Sequence, residues 1–194
     1  MKMPPPPAEH TETELPPAGS HIAICCRLID LGTQNSTFKG QHRERRKLYV
    51  EFQLPHELNC NGHPFVVGNR YTLSSSPKAT LRQHLESWRG RKFTDAELDG
   101  FDLKNVLGKS AVITVIHHER SGKIYADIKA IAAIPKGTKP ASLAGPSVMF
   151  SLEPGEYEHE VYLSLSDRLR GVIAASPEFQ AVSPSDTREQ PTGR

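Results

Sequence analysis

The chain has 194 residues, 37% hydrophobic and 24% charged, with a net charge of +2. That length suits one domain of ~100–150 residues with tails. No apolar run reaches the roughly 20 residues of a membrane-spanning helix, and Met1–Ala8 lacks the hydrophobic stretch of a secretory signal, so a soluble cytoplasmic protein with no membrane partner is expected.

The small net charge conceals a partition. Residues 21–139 hold 19 Lys and Arg against 11 Asp and Glu, a net of +8, whereas the two flanks together carry −6. A basic body with acidic ends points to a polyanionic partner for the body, against the alternative of a generic solvated surface.

Residues 1–20, rich in Pro, Glu and Thr without apolar periodicity, are expected to be disordered. Order begins near His21. The run His21–Leu31 is β-rich with Ile22 and Ile24 on one face, and Cys25-Cys26 reads as a bulge that turns Arg27 to solvent. Lys39–Lys47 then brings five cations and one acid to the base of a second strand. From Lys47 to Leu54 apolar residues fall on every second position (Leu48, Val50, Phe52, Leu54), leaving Lys47, Tyr49, Glu51 and Gln53 on the other face. Such a strand is the unit of a single-strand nucleic-acid platform; a solvated hairpin with an incidental tyrosine has the same pattern.

Asn59–Gly62 signals a turn before a third strand, Phe65–Leu73, in which Gly68 permits a kink. The period then changes. Ser76-Pro77 is an N-cap followed by Pro, Leu81, Leu85 and Trp88 recur at helical spacing, and Gly90 ends that helix. Thr94–Glu97 has capping-box spacing and starts a second short helix. Ser110–His117 is nearly continuous in apolar residues, as a central strand is. In the last strand, Lys123–Ile131, alternation puts Ile124, Ala126, Ile128 and Ala130 inward and Tyr125, Asp127 and Lys129 outward.

Three strands, a helical insert and two strands is the element order of an OB-fold, a five-stranded Greek-key barrel with its helix between strands 3 and 4. The expected organisation is thus mainly β: a barrel over 21–136, a linker over 137–163, a C-terminal amphipathic helix over 164–182 (Leu165, Leu169, Val172, Ile173), and a disordered tail over 183–194.

The run Tyr71–Thr94, with its Trp88-Arg-Gly-Arg91 stretch, continuing through Gly100–Gly108, resembles a group of phage and prophage proteins over about residues 22–136, with a fainter echo in Ile173–Phe179. The resemblance implies a small OB-type single-stranded DNA-binding protein among replication and recombination functions. Many single-strand binders end in an acidic tail tipped by an apolar residue; this chain ends Gln190-Pro-Thr-Gly-Arg194, which puts that mode of recruitment in doubt.

Single-strand binding needs cations along the phosphates and aromatic faces for unpaired bases. The candidate phosphate contacts are Lys39, Arg43, Arg45, Arg46 and Lys47, with Arg27 and Arg70 from neighbouring strands. Tyr49 is the first stacking candidate, Tyr71 the second and Tyr125 a reserve, each of which also suits sealing the edge of a core. Trp88 reads as core more than ligand. Arg89, Arg91 and Lys92 form either a second phosphate patch or a solvated helix end. With 7% aromatic residues the platform is sparse, so sequence-tolerant, salt-dependent binding shared between protomers of a homodimer or larger homo-oligomer is expected.

Other chemistry is poorly supplied. No CxxC spacing accompanies Cys25, Cys26 and Cys60, the imidazoles of His117 and His118 diverge on a strand, and no metal or cofactor is expected. Phosphate-binding loops, GxSxG elbows and HExxH motifs are missing, and the acids Asp30, Glu51 and Asp127 are scattered, so an enzyme is not expected. The stronger rival is an interaction module that binds replication, recombination or phage-assembly proteins without touching nucleic acid.

Overall fold

The computed structural model describes residues 14–38 and 40–182, without the side chains of Thr37 and Phe38. Of the segment expected to be disordered over 1–20, residues 1–13 lie outside the described residues, as do the tail 183–194 and Lys39 as a phosphate contact; residues 14–20 are placed instead, with Pro16 buried, Glu14 accepting a bond from the Cys60 amide, and the first strand starting at Gly19. The chain is mainly β. Strands β1 (Gly19–Phe38), β2 (Gln41–Leu58), β3 (Pro64–Thr72), β4 (Ser110–Arg120) and β5 (Lys123–Ala132) run antiparallel in the order β3-β2-β1-β4-β5, and a sixth, β6 (Val148–Phe150), pairs in parallel with Arg27–Ile29. Helices α1 (Thr80–Arg89) and α2 (Asp95–Asp99) and a 3-10 turn at Leu103–Val106 stand between β3 and β4, where a helical insert is expected. Among the described residues no helix is long and apolar enough to cross a membrane.

Local chemistry accounts for most of these elements. The register of β1 against β2 slips between Cys25 and Arg27, so Cys26 is the bulged residue and Arg27 turns to solvent. Thr94 and Glu97 form the reciprocal capping box that starts α2, and Gly90 ends α1 in the left-handed conformation at φ 75°. Helix α1 itself begins at Thr80, three residues beyond Pro77. The reason is local: the Ala79 amide donates to the Ser76 carbonyl at 2.9 Å, closing a separate turn around the proline. In β5 the inward face differs from simple alternation. The register slips between Thr114 and Val115, which face Ala130 and Ile128, so Lys129 is extra and Ile128 and Ile131 are both buried, while Ile124 is 60% exposed.

The sheet is not closed into a barrel. No backbone ladder joins β3 to β5; instead the Asn69 side chain bridges them. Its Nδ2 donates to the Ile128 carbonyl at 2.7 Å, and the Ile128 amide donates to its Oδ1 at 3.2 Å. A carboxamide is both donor and acceptor, so one side chain stands in for one peptide unit of a missing strand pairing.

Two apolar clusters hold the fold. The first gathers the inward residues of β2, β3, β4 and β5 beneath α1, including Leu48, Val50, Phe52, Leu54, Tyr71 and Ile113. Trp88 belongs here: its ring lies 5.3 Å from that of Phe52 and its Nε1 donates to the Ser110 carbonyl at 2.8 Å. The second lies on the opposite side of β1 and gathers Ile29, Leu31, Phe150, Leu152, Leu165 and Ile173. Residues 148–165, read from sequence mostly as linker, therefore supply β6 and part of this core. In place of one C-terminal helix the chain forms α3 (His159–Ser164), α4 (Asp167–Ala174) and α5 (Pro177–Val182); Ser166 caps the start of α4 by accepting from the Leu169 amide, and buried Ser176 accepts from the Phe179 amide where α4 gives way to α5. The segment locks to β1 at Gly32, whose φ of +66° leaves no room for a side chain beside Ser176, and at Thr33, whose amide donates to Glu178 Oε2 at 2.8 Å.

Candidate functional site

Alternation along β2 sends Val50 and Phe52 into the first core and leaves Tyr49 and Glu51 on the outer face. The bulge at Cys26 places Arg27 directly across from Glu51, and on the other side Gly68 of β3 faces Glu51 in register. Because Gly68 has no side chain, the Tyr49 ring occupies the space beside it on β3; a Cβ there would sit 2.4 Å from the tyrosine hydroxyl. These residues floor a groove of about 740 Å³ along the seam between β3 and β5. Tyr125, Ala126 and Asp127 of β5 form one wall, Ser166, Arg168 and Leu169 at the start of α4 form another, and Glu14–Pro16 close one end.

The groove carries three guanidinium groups. Arg27 pairs with Glu51 through one nitrogen at 3.1 Å and remains about half exposed. Arg70 is exposed, and burial of part of its side chain, followed by the like charge of Arg168, lowers its affinity for its proton. Tyr49 hydrogen-bonds Glu51 Oε1 at 3.2 Å; burial first, and then the Glu51 charge, raise its phenol above the ordinary tyrosine value. Beyond Tyr125 a smaller polar pocket of about 280 Å³ continues the groove, lined by His118, Arg120, Asp127 and Arg168. There the His118 ring stacks on Tyr125 with centroids 5.7 Å apart at 24°.

Of the ten residues singled out from sequence, the structure brings Arg27, Tyr49, Arg70 and Tyr125 to this groove. Arg43, Arg45, Arg46 and Lys47 lie elsewhere, on the ribbon that β1 and β2 form from Gly32 to Phe38 and from Gln41 to Lys47. Arg43 and Arg45 are exposed along it. Arg46 is not available to a phosphate: it is clamped by Asp30 at 2.5 Å and Glu153 at 2.7 Å, and its bond to Asp30 holds its proton more firmly than usual. Lys47 donates to Thr72 Oγ1 at 2.7 Å, and burial, then neighbouring Arg45, lowers its pKa.

Tyr71 is corrected outright. It pairs with inward-facing Leu48, is 3% exposed, and bonds His84 Nδ1 at 3.0 Å, so its ring has no face for a base; burial pushes its phenol up to about 12. In the second candidate patch Arg89 and Arg91 share Glu97 as an ion-pair partner and Arg89 lies over the Phe93 ring, while Arg91 and Lys92 remain exposed. His117 and His118 do diverge, the first to the Pro16 carbonyl and the second to Asp127. Among the described residues no group of three or more His, Cys, Asp or Glu side chains is placed to hold a metal ion.

Three groove residues escape the sequence reading: Arg168, Arg120 and His118. Arg168 was hidden because nothing local says that α4 folds back against β1. Arg120 carried a faint signal as the cation that ends β4, next to a turn. No protein-family model matches the chain, and no curated protein matches it.

Proposed function

We propose that this chain binds single-stranded DNA in the groove between β3 and β5, with little sequence preference, in phage or prophage DNA replication or recombination. The observation that carries the reading is the convergence of Arg27, Arg70 and Arg168 on one groove whose lining includes Tyr125, 37% exposed. Cations spaced along a trough follow a phosphate backbone, and an aromatic wall offers a stacking face of any base composition. The strand order supports an OB-type reading as well, because an OB-fold is a partly open Greek-key barrel that binds along its second and third strands and adjoining loops. On that reading Asn69 marks the open seam, and the basic β1–β2 ribbon with Arg43 and Arg45 is the first of those loops.

The test is fluorescence anisotropy of a labelled oligo-dT at low salt. Binding that exceeds binding to matching duplex is expected. No anisotropy change, or equal binding to duplex, removes the reading. Replacing Arg70 and Arg168 together by Ala should weaken binding and flatten the log–log salt slope by about 1.4, at ~0.7 per lost phosphate contact. A different observation favours the interaction-module reading: β3 and β5 present unladdered edges beside exposed Val66 and Ile124, a place where an extended peptide adds as a strand.

A further inference from the structure

At the floor of this groove, whose lining sets Arg27, Arg70 and Arg168 against Glu14, Glu51 and Asp127, lies the carboxylate of Glu51, only 7% exposed. An acid there is at odds with a polyanionic ligand unless it has another task. Its contacts indicate one. Oε2 takes Arg27 at 3.1 Å and Oε1 accepts the Tyr49 hydroxyl at 3.2 Å, so the two oxygens hold two groove residues at once. The Glu51 backbone is fixed mid-strand, with Phe52 beside it in the core and Gly68 across the ladder, and the Tyr49 hydroxyl steadies its carboxylate.

We infer that Glu51 is a positioning residue which presents the Arg27 guanidinium to the DNA strand; the inference rests on the single-strand reading above. The fit is geometric. A guanidinium has five N–H donors in a rigid plane, and the carboxylate engages only one of its terminal nitrogens. The rest of the fork faces a groove it still half shares with solvent. An arginine held in place has already lost the rotamer freedom that a free one gives up on binding a phosphate. Glu14 and Asp127 line the groove as well, so its three arginines are matched by three carboxylates, and the placement of each guanidinium rather than a net field must carry the phosphate contacts. Tyr49 completes the arrangement from the other oxygen.

The opposite role is physically possible, a carboxylate that withholds Arg27 from phosphate, and the two roles predict changes of opposite sign. The experiment measures oligo-dT affinity and salt slope for Arg27→Ala in the wild-type chain and in Glu51→Gln. In the wild-type chain the arginine's removal is expected to weaken binding about tenfold, the scale of one charged hydrogen bond, and to flatten the slope by ~0.7. In Glu51→Gln the same removal should cost less than about twofold, with an unchanged slope, because an unpositioned arginine contributes little. A penalty that stays the same or grows in Glu51→Gln overturns the inference. Arg27→Ala in the wild-type chain also leaves the Glu51 charge unpaired, so Tyr49→Phe, which loosens the carboxylate and keeps its charge, isolates positioning and serves should Glu51→Gln fail to fold; the Arg27→Ala penalty must shrink there too, and an unreduced penalty overturns the inference. A wild-type chain that binds no oligonucleotide is a different outcome, and it removes the single-strand reading itself.

Discussion

Replacing Gly68 by Ala adds one methyl group at the floor of the groove, and the structure states what it meets. The new Cβ would lie 2.4 Å from the Tyr49 hydroxyl oxygen, 2.5 Å from Cζ and 2.8 Å from Cε2. Three atoms of a rigid ring are involved, so a turn of one terminal bond does not relieve the overlap. The ring is also packed against the second core and hydrogen-bonded to Glu51. Overpacking of this kind costs ~1–3 kcal/mol. Gly68 has no positive φ, so Ala suits the backbone and recovers ~0.4–1 kcal/mol by restricting the unfolded chain. The net destabilisation is then about 1–2 kcal/mol, a drop in Tm of roughly 2–8 °C for a domain of this size. The sign should reverse when the ring is gone: in a Tyr49→Ala background, Gly68→Ala should stabilise by ~0.4–1 kcal/mol. Urea denaturation of the four chains measures both values. Equal destabilisation in the two backgrounds, or none in the wild type, would refute the contact as the reason for glycine at this position.

Three further outcomes are expected. Tyr71→Phe loses its bond to His84 and should lower stability by about 1 kcal/mol while leaving oligo-dT affinity unchanged, as denaturation and anisotropy would establish. Gly32→Ala puts a side chain at φ +66°, worth ~1–2 kcal/mol of backbone strain, with its Cβ 2.4 Å from Ser176; limited proteolysis should then cut within the C-terminal segment faster than in the wild type, and oligo-dT affinity should fall as Arg168 leaves the groove. Acid should weaken the fold through Glu97 and Glu156. Arg91, the Thr94 amide and Arg89 lower the Glu97 pKa, and Lys104 lowers that of Glu156, so the stability these carboxylates contribute is complete above the unfolded value of ~4.3 and is lost as pH falls below it. The Tm difference between wild type and Glu97→Gln should therefore close on acidification from pH 6.

Strand content was legible wherever alternation was strict. Leu48–Leu54 gave the buried face of β2 correctly, and Cys25-Cys26 marked a true bulge. The burial of Tyr71 was legible as well: Phe65, Val67 and Tyr71 lie at even spacing on β3, so the ring shares the core face of two evident core residues. The slip at Lys129 was not, because a bulge in β5 is set by its partner β4. Arg46 looked like a phosphate contact in a run of cations, yet its carboxylates, Asp30 and Glu153, lie 16 and 107 residues away in the chain. The same remoteness hid Arg168. Val148–Phe150 and Leu152 were a short apolar stretch with no period to betray that they complete a core.

β1 lends Leu28 to one apolar cluster and the adjacent Ile29 to the other. Loss of either cluster uncovers one face of the strand on which the other is built, so each is weakened when its neighbour melts. Heating should thus give a single transition, in which the C-terminal helices and the five-stranded body are lost at the same temperature.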